Sequence, residues 1–447
     1  MSGEDTIAAI STATGEGGIA IVRMSGDRAE EILGKIFSPA SGRKVLENRK
    51  LVLGTCMADG EEIDEVMAVL MRAPKSYTRE DVAEIHCHGG RACALRVLNQ
   101  ALREGARPAE PGEFTRRAFL NGRIDLSRAE AVMQLIGAKN ELAQKMAMRQ
   151  LRGGSAEFVE GIRKRLVDLL SLIEASMDFP EEVEEEAAAE EIRGEIEKIL
   201  PDLEKKSEAR RARLLREGAW VVLAGTPNAG KSSLMNALLS QDRAIVTEIP
   251  GTTRDVLTEQ ISFGGVPAQI SDTAGLRDTQ DPVEKIGVSR ARDAVEKADV
   301  VVMVVDGSRP LSREDREILS RPDPRRIVCL NKSDLPQIVS AEDLGSETIV
   351  LSARTGEGIS LLAGEIAKML STEAGEEDLL LTQRQISLCR QAIQNLQGAL
   401  RAIAEGFSLD AVAVDLHQAL EDLCEITGEN ASESVIDAVF KNFCVGK

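Results

Sequence analysis

The sequence predicts a multidomain protein that combines α/β and all-α folds: an N-terminal α+β domain, a helical bundle, and an inserted nucleotide-binding domain of the P-loop type. Three observations predict it. Short apolar runs bounded by turn residues alternate with helical patterns over residues 1–118. Helical periodicity then dominates residues 119–215 and 376–447. Between these two helical regions, residues 216–375 alternate strand-length apolar runs with helices and contain a glycine-spaced loop.

Composition limits the classes of function. The chain has 447 residues and a net charge of -19, so two or three cores are expected and a strongly basic nucleic-acid clamp is excluded. Any RNA contact must be local or shared with a partner. The N-terminus has no signal character and the longest apolar runs are strand-length, so no membrane association is expected. Seven scattered cysteines suit a reducing, cytoplasmic compartment.

In the N-terminal region, strands are predicted around residues 6–10, 19–22, 51–53, 66–70 and 82–85, with helices at 27–37 and 90–104. Two charged residues lie near strand ends, Arg23 and Glu84. They are candidate ligand groups, although a single surface charge is more often only solvated.

The run His86, Cys87, His88 raises the question of a metal site. On a strand the two histidines would share one face and Cys87 would point to the other, so this element offers two ligands where a structural zinc site needs four. The sequence contains no second cluster of histidine and cysteine. We therefore expect a strand that leads into the Gly89-Gly90 turn, without a metal.

The helical regions carry recognisable start and stop signals. Ser127 and Glu130 are spaced as a capping box, as are Thr382 and Gln385, and a late helix is predicted to stop near Gly428. The acidic run from 181 to 191 is interpreted as a solvated helix start. The C-terminal helices have no strands nearby, so we infer one bundle formed by both helical regions, into which the nucleotide domain is inserted.

The glycine-spaced loop runs from Gly225 to Ser232 and fits the pattern Gly-x-x-x-x-Gly-Lys-Ser. Backbone N–H groups of such a loop can surround phosphate oxygens, Lys231 can reach the outer phosphates, and the Ser232 hydroxyl can bind Mg²⁺. An apolar strand precedes the loop and a helical pattern follows it, which is the context that this motif needs.

Three further motifs follow in order. In Gly251-Thr-Thr-Arg-Asp255 a threonine hydroxyl can complete the Mg²⁺ shell, and in Asp272-Thr-Ala-Gly275 the carboxylate can hold Mg²⁺ through water while the Gly275 amide senses the γ-phosphate. Asn331, Lys332 and Asp334 then follow a strand, where Asp334 can accept from guanine but not from adenine. Ser352, Ala353 and Arg354 close the base pocket. The four motifs together predict a Ras-like P-loop GTPase fold.

Two details bear on hydrolysis. Leu276 stands where many small GTPases have a water-orienting glutamine, so Glu284, beyond the switch, is the candidate catalytic residue; its alternative is a surface glutamate that opens a helix. No arginine finger is evident by motif, although Arg254 is a candidate. Asn228 suggests instead a monovalent cation held by its amide oxygen and by carbonyls of the 247–252 loop.

These motifs, the N-terminal Gly-Gly-Ile-Ala-Ile-Val-Arg-Met-Ser-Gly and the terminal Phe443-Cys-Val-Gly-Lys447 together resemble the MnmE (TrmE) family of tRNA-modification GTPases. The resemblance covers essentially the whole chain, and the two ends make it specific. It implies a tetrahydrofolate-binding N-terminal domain that also forms a homodimer, a potassium-stimulated GTPase, and a heterotetramer with the flavoprotein MnmG. Together the two proteins would install an aminomethyl or carboxymethylaminomethyl group at C5 of wobble uridine 34 of certain tRNAs, with 5-formyltetrahydrofolate or a related carrier.

The resemblance also assigns residues. Arg23, Glu84, Arg123 and Lys447 fall on the folate-binding positions; Ser232 and Thr253 on the Mg²⁺ ligands; Asn228, Thr247, Ile249 and Thr252 on the potassium ligands; and Glu284 on the catalytic acid. The implied nucleotide-binding set is Asn228, Ala229, Gly230, Lys231, Ser232, Ser233, Thr247, Glu248, Ile249, Pro250, Gly251, Thr252, Thr253, Asp272, Thr273, Ala274, Gly275, Asn331, Lys332, Asp334, Ser352, Ala353 and Arg354.

The chain departs from the family pattern at three places: Val445 in the terminal motif, Arg123 where many members have lysine, and Arg79 where a glycine is common. The last change is expected to alter the loop before Glu84. Cys444 is treated as a packed small residue rather than as a redox group. The alternatives are a ribosome-assembly-type GTPase switch without modification chemistry, and a folate-dependent one-carbon transferase with a regulatory GTPase.

Overall fold

The computed structural model describes residues 5–13, 15–42, 46–138, 141–179, 181, 184–208, 212–214, 218–241, 258–264, 266–272, 295, 297–320, 323–345, 347–371, 382–441 and 443–446. Its internal contacts divide the chain into two compact units. Unit 1 comprises Met1–Ile136, Met148–Glu204 and Ser387–Lys447, and unit 2 comprises Gly137–Ala147 and Lys205–Ile386. Both units are therefore discontinuous in sequence.

Unit 1 begins with a seven-stranded sheet. Its strands are β1 (Ile7–Ile10), β2 (Ile19–Ser25), β3 (Phe37–Pro39), β4 (Val52–Ala58), β5 (Glu61–Met71), β6 (Val82–His88) and β7 (Arg107–Pro108), in the spatial order β3-β4-β5-β6-β2-β1-β7. Only the β1–β7 pair is parallel. The helices α1 (Ala29–Ile36) and α2 (Arg91–Arg103) contribute Ile32 and Val97 to a core that includes Val22 and Ile85 of the sheet. The strands and helices predicted for this region are confirmed.

Long helices complete unit 1 and extend beyond it. The helices N-terminal to the nucleotide domain are α3 (Glu113–Leu120), α4 (Leu126–Gly137), α5 (Glu141–Arg152), α6 (Gly154–Asp178) and α7 (Glu185–Lys206). After the nucleotide domain come α11 (Gln383–Ala404), α12 (Leu409–Thr427) and α13 (Glu433–Phe440). The apolar stripe of α6, from Val159 to Ile173, is buried as its periodicity predicts.

The helix caps confirm two of the three sequence predictions. Thr382 and Gln385 exchange the paired backbone contacts of a capping box at 3.2 and 3.5 Å, and Gly428 ends α12 with a φ of +88°. The predicted cap at Ser127 is wrong, because Asp125 takes that role. Its carboxylate accepts from the Arg128 N–H at 2.9 Å and from the Ser127 hydroxyl at 2.5 Å, since a charged acceptor is the stronger cap.

The chain leaves and re-enters the helical part of unit 1 at neighbouring points. The Sγ atom of Cys389, on α11, lies 3.5 Å from the carbonyl oxygen of Leu203, on α7, although 186 residues separate them in sequence. Adjacent exit and entry points are what an inserted domain requires. The boundaries at residues 118, 215 and 375 stay predictions.

Unit 2 contains a six-stranded sheet. Its strands are β8 (Ala219–Ala224), β9 (Thr258–Phe263), β10 (Val266–Asp272), β11 (Val300–Asp306), β12 (Arg326–Asn331) and β13 (Ile349–Val350), in the order β13-β12-β11-β8-β10-β9. All neighbours are parallel except β9 and β10. Its helices include α8 (Lys231–Gln241), α9 (Arg313–Leu319) and α10 (Ile359–Ser371). In such sheets ligands bind beyond the carboxyl ends of the strands, and the phosphate loop after β8, Asp272 at the end of β10 and Asn331 at the end of β12 lie there.

The two units together give the predicted multidomain α/β and α architecture. Among the helices that the structure describes, none combines the length and the apolar character that crossing a membrane requires.

Candidate functional site

The phosphate loop follows β8 and depends on two glycines. Gly225 has a φ of +143°, and a Cβ atom there would lie 2.3 Å from the carbonyl oxygen of Val304 on β11. Gly230 has a φ of +95°, and its Cβ would lie 2.3 Å from Nδ2 of Asn331. Any larger residue would displace backbone or a buried amide, so the spacing of the motif is a packing requirement as well as a phosphate-binding one.

Lys231 and Ser232 begin α8 directly after this loop. The Lys231 ammonium is almost fully buried and donates to the carbonyl oxygens of Gly225 and Thr226 at 2.8 and 2.9 Å. These bonds hold the charge over the loop, at the N-terminal end of a helix, where phosphate oxygens are favoured. Ser232 and Ser233 occupy the next two positions of the same first turn.

The predicted Mg²⁺ and potassium ligands are only partly within the described residues. The backbone of Asp272 ends β10 and pairs in register with Leu223 of β8, which brings that position to the sheet edge that carries the phosphate loop. Ser232 and Asp272 are oxygen donors of the type that Mg²⁺ prefers, so the residues fit that ion. Residues Thr247 to Arg254, Thr273 to Gly275 and Glu284 lie outside the described residues.

One buried side chain joins the phosphate loop to the two loops that are predicted to bind the base. Asn331, 1% exposed, donates from Nδ2 to the carbonyl oxygen of Ala229 at 2.8 Å and accepts at Oδ1 from the N–H of Ala353 at 3.0 Å. Asp334 accepts from the Ser352 hydroxyl at 2.7 Å. Five predicted residues from three separate motifs are thus brought together by hydrogen bonds.

Lys332 and Arg354 belong to the same two loops. Lys332, with a φ of +69°, donates from Nζ to Oδ2 of Asp306 at 2.7 Å. Burial by itself raises the pKa of Asp306, but its hydrogen bonds with Lys332 and Ser308 outweigh that effect and lower the pKa overall. The Nη1 atom of Arg354 lies 3.9 Å from Oδ2 of Asp334, and its exposed side chain makes this pair weak.

A network beneath the phosphate loop was missed by sequence reasoning. The Thr226 hydroxyl donates to Oδ1 of Asp315 at 3.0 Å and accepts from Nη2 of Arg309 at 2.7 Å. Asp315 also forms the capping box of α9 with Ser312. The Ser-x-x-Asp spacing predicts the cap, but nothing local indicates that its carboxylate reaches Thr226, because 89 residues separate the two.

The folate candidates of the N-terminal sheet also come together. Arg23 on β2 and Glu84 on β6 are cross-strand partners, with Nε and Oε1 2.8 Å apart, and both side chains are largely buried. His86 Nε2 lies 3.1 Å from the second oxygen of Glu84. Arg23 and Glu84 therefore form a largely buried ion pair across adjacent strands. Two surface charges that were merely solvated would not be paired and buried in this way.

Aromatic rings surround this ion pair. The Arg23 guanidinium lies 5.5 Å from the ring centre of Tyr77 and 5.7 Å from that of Phe114, and the Arg123 guanidinium lies 4.7 Å from the ring centre of Tyr77. Tyr77 and Phe114 were missed by sequence reasoning. Tyr77 is the only tyrosine in the chain, a compositional signal that could have drawn notice.

The C-terminal segment reaches the same domain. Val445 forms a β-bridge with Pro111, and a Cβ atom on Gly446 would lie 2.3 Å from the carbonyl oxygen of Ile10 at the end of β1. The segment before Lys447 is thereby held against the N-terminal domain. Lys447 itself lies outside the described residues.

Arg79 adopts a φ of +64°, in the left-handed region that a glycine occupies readily. Its guanidinium donates to the carbonyl oxygen of Asn121 at 2.9 Å. The arginine thus keeps a conformation suited to glycine, and its side chain adds a tie between the loop and α3.

Two family models match the chain: one described as the N-terminus of the GTP-binding protein TrmE, over residues 6–123, and one described as the MnmE helical domain, over residues 126–444. The tRNA modification GTPase MnmE of Symbiobacterium thermophilum is 46% identical, and the alignment covers 100% of both chains. That of Carboxydothermus hydrogenoformans is 44% identical over 99% of this chain and 100% of its own. Among solved structures, the G domain of the T. maritima iron transporter FeoB is 29% identical over 34% of this chain and 98% of that one, with a TM-score of 0.26. The matched models and the full-length relatives together place this chain in the MnmE family of tRNA modification GTPases.

Proposed function

We propose that the chain is a potassium-stimulated GTPase that, together with the flavoprotein MnmG, installs an aminomethyl or carboxymethylaminomethyl group at C5 of wobble uridine 34 in certain tRNAs. One observation carries the nucleotide part of this proposal. Asn331 joins the phosphate loop at Ala229 to the base loop at Ala353 through two hydrogen bonds. Recognition of the base and of the phosphates is therefore mechanically linked through one buried residue.

Guanine is favoured over adenine by the acceptors in this pocket. The carboxylate of Asp334 offers two acceptor oxygens to the N1–H and 2-amino groups of guanine. Adenine has neither donor and would leave the remaining acceptor positions of this largely buried carboxylate without a partner, which costs about 1 to 3 kcal/mol. Ser352 holds the carboxylate in place through its 2.7 Å hydrogen bond.

For hydrolysis we propose two metal ions and one acidic residue. Ser232 and Thr253 would hold Mg²⁺, and Asn228 with the carbonyls of Thr247, Ile249 and Thr252 would hold potassium. Asn228 supports this assignment, since it lies within the phosphate loop at a φ of +63°, next to the site of charge development. Glu284 would orient the attacking water, and Arg254 is the competing source of positive charge.

The N-terminal domain would bind a tetrahydrofolate one-carbon carrier through Arg23, Glu84, Arg123 and Lys447. A reduced pterin offers N–H donors to a carboxylate such as Glu84, and the carrier's glutamate tail offers carboxylates to an arginine. Tyr77 and Phe114 add a flat apolar surface beside the ion pair. The match of residues 6–123 to the TrmE N-terminus supports this assignment.

The proposed assembly is a homodimer that forms a heterotetramer with MnmG and acts on tRNA in the cytoplasm. A net charge of -19 supports tRNA binding that is local or largely carried by the partner, because extensive phosphate contact needs clustered lysine and arginine.

The first test compares GTP hydrolysis in potassium and sodium at matched ionic strength, for the parent, Asn228→Ala and Glu284→Ala. We expect faster hydrolysis in potassium, loss of this preference in Asn228→Ala, and a nearly inactive Glu284→Ala that still binds GTP. Equal rates in both salts would transfer the charge-supplying role to Arg254 or a partner. Modification of wobble uridine should require added flavoprotein; modification by this chain alone would contradict the partner requirement.

A further inference from the structure

We propose that Asp64, Cys87 and Cys93 form a binding site for a divalent metal ion of the Zn²⁺ class, separate from the Mg²⁺ site of the nucleotide domain. The inference does not depend on the GTPase or the folate chemistry. It rests on three side chains from three elements, β5, β6 and α2, whose ligand atoms all lie within 4.8 Å of one another.

The spacing of these atoms is close to what such an ion needs. Zn²⁺ binds cysteine sulfur at about 2.3 Å and carboxylate oxygen at about 2.0 Å in tetrahedral geometry, so neighbouring ligand atoms lie roughly 3.3 to 3.8 Å apart. The Cys93 Sγ atom is already 3.0 Å from Oδ2 of Asp64. Side-chain adjustments of an ångström or less would bring all three groups around one ion.

The carboxylate is oriented with one oxygen on each side. Oδ2 faces Cys93 and accepts from the backbone N–H of His88 at 2.8 Å, while Oδ1 lies 2.7 Å from the Nδ1 atom of His88. A histidine on the far oxygen of a metal-binding carboxylate is a common supporting contact. The geometry therefore assigns His88 as a positioning residue and leaves a fourth coordination position for water.

The electrostatic surroundings suit a cation. Asp64 has a side chain only 13% exposed, and within the described part of the chain its side-chain partners are His88 and Cys93, with no lysine or arginine. Cys87 is buried and Cys93 is partly buried, so the sulfur atoms of the cluster have little contact with bulk solvent.

Metal binding would release protons in a balanced step. At neutral pH a cysteine thiol is ordinarily protonated and an aspartate carboxylate is ordinarily ionised, so bonding of both sulfurs to one ion releases two protons, one from each thiol. The resulting site of two thiolates, one carboxylate and M²⁺ carries a charge of about -1, which is smaller in magnitude than the -3 of the deprotonated ligands alone.

Cobalt(II) added to reduced, metal-free, nucleotide-free full-length protein tests the proposal, because thiolate bonding to Co²⁺ gives a charge-transfer band that Mg²⁺-type oxygen sites lack. We expect one equivalent of Co²⁺ to bind with that band, Zn²⁺ to displace it, and two protons to be released. Cys93 lies on α2 and is partly exposed, so Cys93→Ser should leave the fold intact and weaken the band. Asp64→Asn should weaken the band as well. His88→Ala should lower affinity about 10- to 100-fold while the band persists.

Cys424→Ser is the matched control, since this buried cysteine lies on α12 in the helical part of unit 1 and should leave the titration unchanged. Circular dichroism of each variant separates loss of the site from loss of the fold, and Cys93→Ser avoids the fully buried Cys87. A parent that gives no thiolate band overturns the proposal. So does a folded Cys93→Ser variant with the parent's band and affinity, because the ion would then be bound elsewhere.

Discussion

At the scale of single residues, the proposed recognition of guanine depends on the direction in which the acceptor oxygens of Asp334 point. Asp334 is held by Ser352, whose own backbone follows β13, and Asn331 sets the distance to the phosphate loop. A side chain of the same shape with a different donor pattern should therefore change which base is bound while leaving the pocket intact.

Asp334→Asn tests this expectation. The asparagine amide would face the 2-amino group of guanine with a donor, so GDP affinity should fall at least tenfold, about 1.4 kcal/mol. Xanthine has a carbonyl at that position, so the variant should bind xanthosine diphosphate more tightly than the parent does. Calorimetric titration of both proteins with GDP and with xanthosine diphosphate measures this change in specificity. Asp343→Asn, the same change in an exposed turn, is the control; unchanged GDP affinity in Asp334→Asn would refute the assignment.

Residue types in short motifs were predictable from sequence, whereas their partners were not. The phosphate loop from Gly225 to Ser232 was recognisable from the sequence, because its backbone geometry restricts which residues can occupy it. Cys87 was expected on the opposite face of the strand from the histidines, and it is buried whereas His86 and His88 are not. The Cys87 sulfur lies within 4.8 Å of ligand atoms of Asp64 and Cys93. Those partners come from another strand and a helix, so spacing along the chain could not reveal them.

At the scale of elements, a cluster of ion pairs ties the sheet edge at β7 to α3. Arg107, next to β1, donates to Glu113 at 2.9 Å and also pairs with Asp5, while Arg117 of α3 donates to Asp5 at 2.6 Å. Glu113 is 7% exposed. A two-residue strand such as β7 has few backbone bonds, so these side chains help to keep it paired with β1.

The same cluster predicts a pH dependence. For both Glu113 and Asp5, burial tends to raise the pKa, but hydrogen bonds with Arg107 (and with Arg117 for Asp5) outweigh it, so both pKa values lie below the ordinary 4.5 and 3.8. The stabilisation is therefore complete above the ordinary values and is lost as the pH falls through the lowered ones. Glu113→Gln should lower the free energy of unfolding by about 1.5 to 3 kcal/mol near neutral pH. The free energy of unfolding of this variant should also fall less steeply as the pH is lowered.

Urea unfolding of the parent and Glu113→Gln, measured from neutral pH to about pH 3, gives the free energy of unfolding and its pH slope. Glu61→Gln is the control, because Glu61 has a side chain 82% exposed and should change stability by less than about 0.5 kcal/mol. Coincident pH profiles for the parent and Glu113→Gln would show that the Glu113 carboxylate does not stabilise the fold, and parallel but offset profiles would show that its titration does not cause the pH dependence.

At the scale of the whole molecule, the two units have separate cores and each is assembled from distant parts of the sequence. The inserted position of the nucleotide domain could be inferred from helical patterns on both sides of it. The membership of Gly137–Ala147 in unit 2 could not be inferred from the sequence. Helical periodicity indicates which face of a helix is apolar, but it does not indicate which unit that face packs against.

Separate cores predict that GDP and the proposed folate ligand each stabilise only the unit that binds them. A ligand at 100 times its dissociation constant adds about 2.7 kcal/mol to the state that binds it, so hydrogen exchange should slow mainly where that unit opens. GDP should protect β8, α8 and β12, and 5-formyltetrahydrofolate should protect β2, β6 and α3. Lys231→Ala should abolish only the first effect and Arg23→Ala only the second. Protection of the N-terminal sheet by GDP would contradict the independence of the two units and show that their two sites are energetically coupled. A ligand can protect a unit that it does not contact only by favouring one conformational state of that unit.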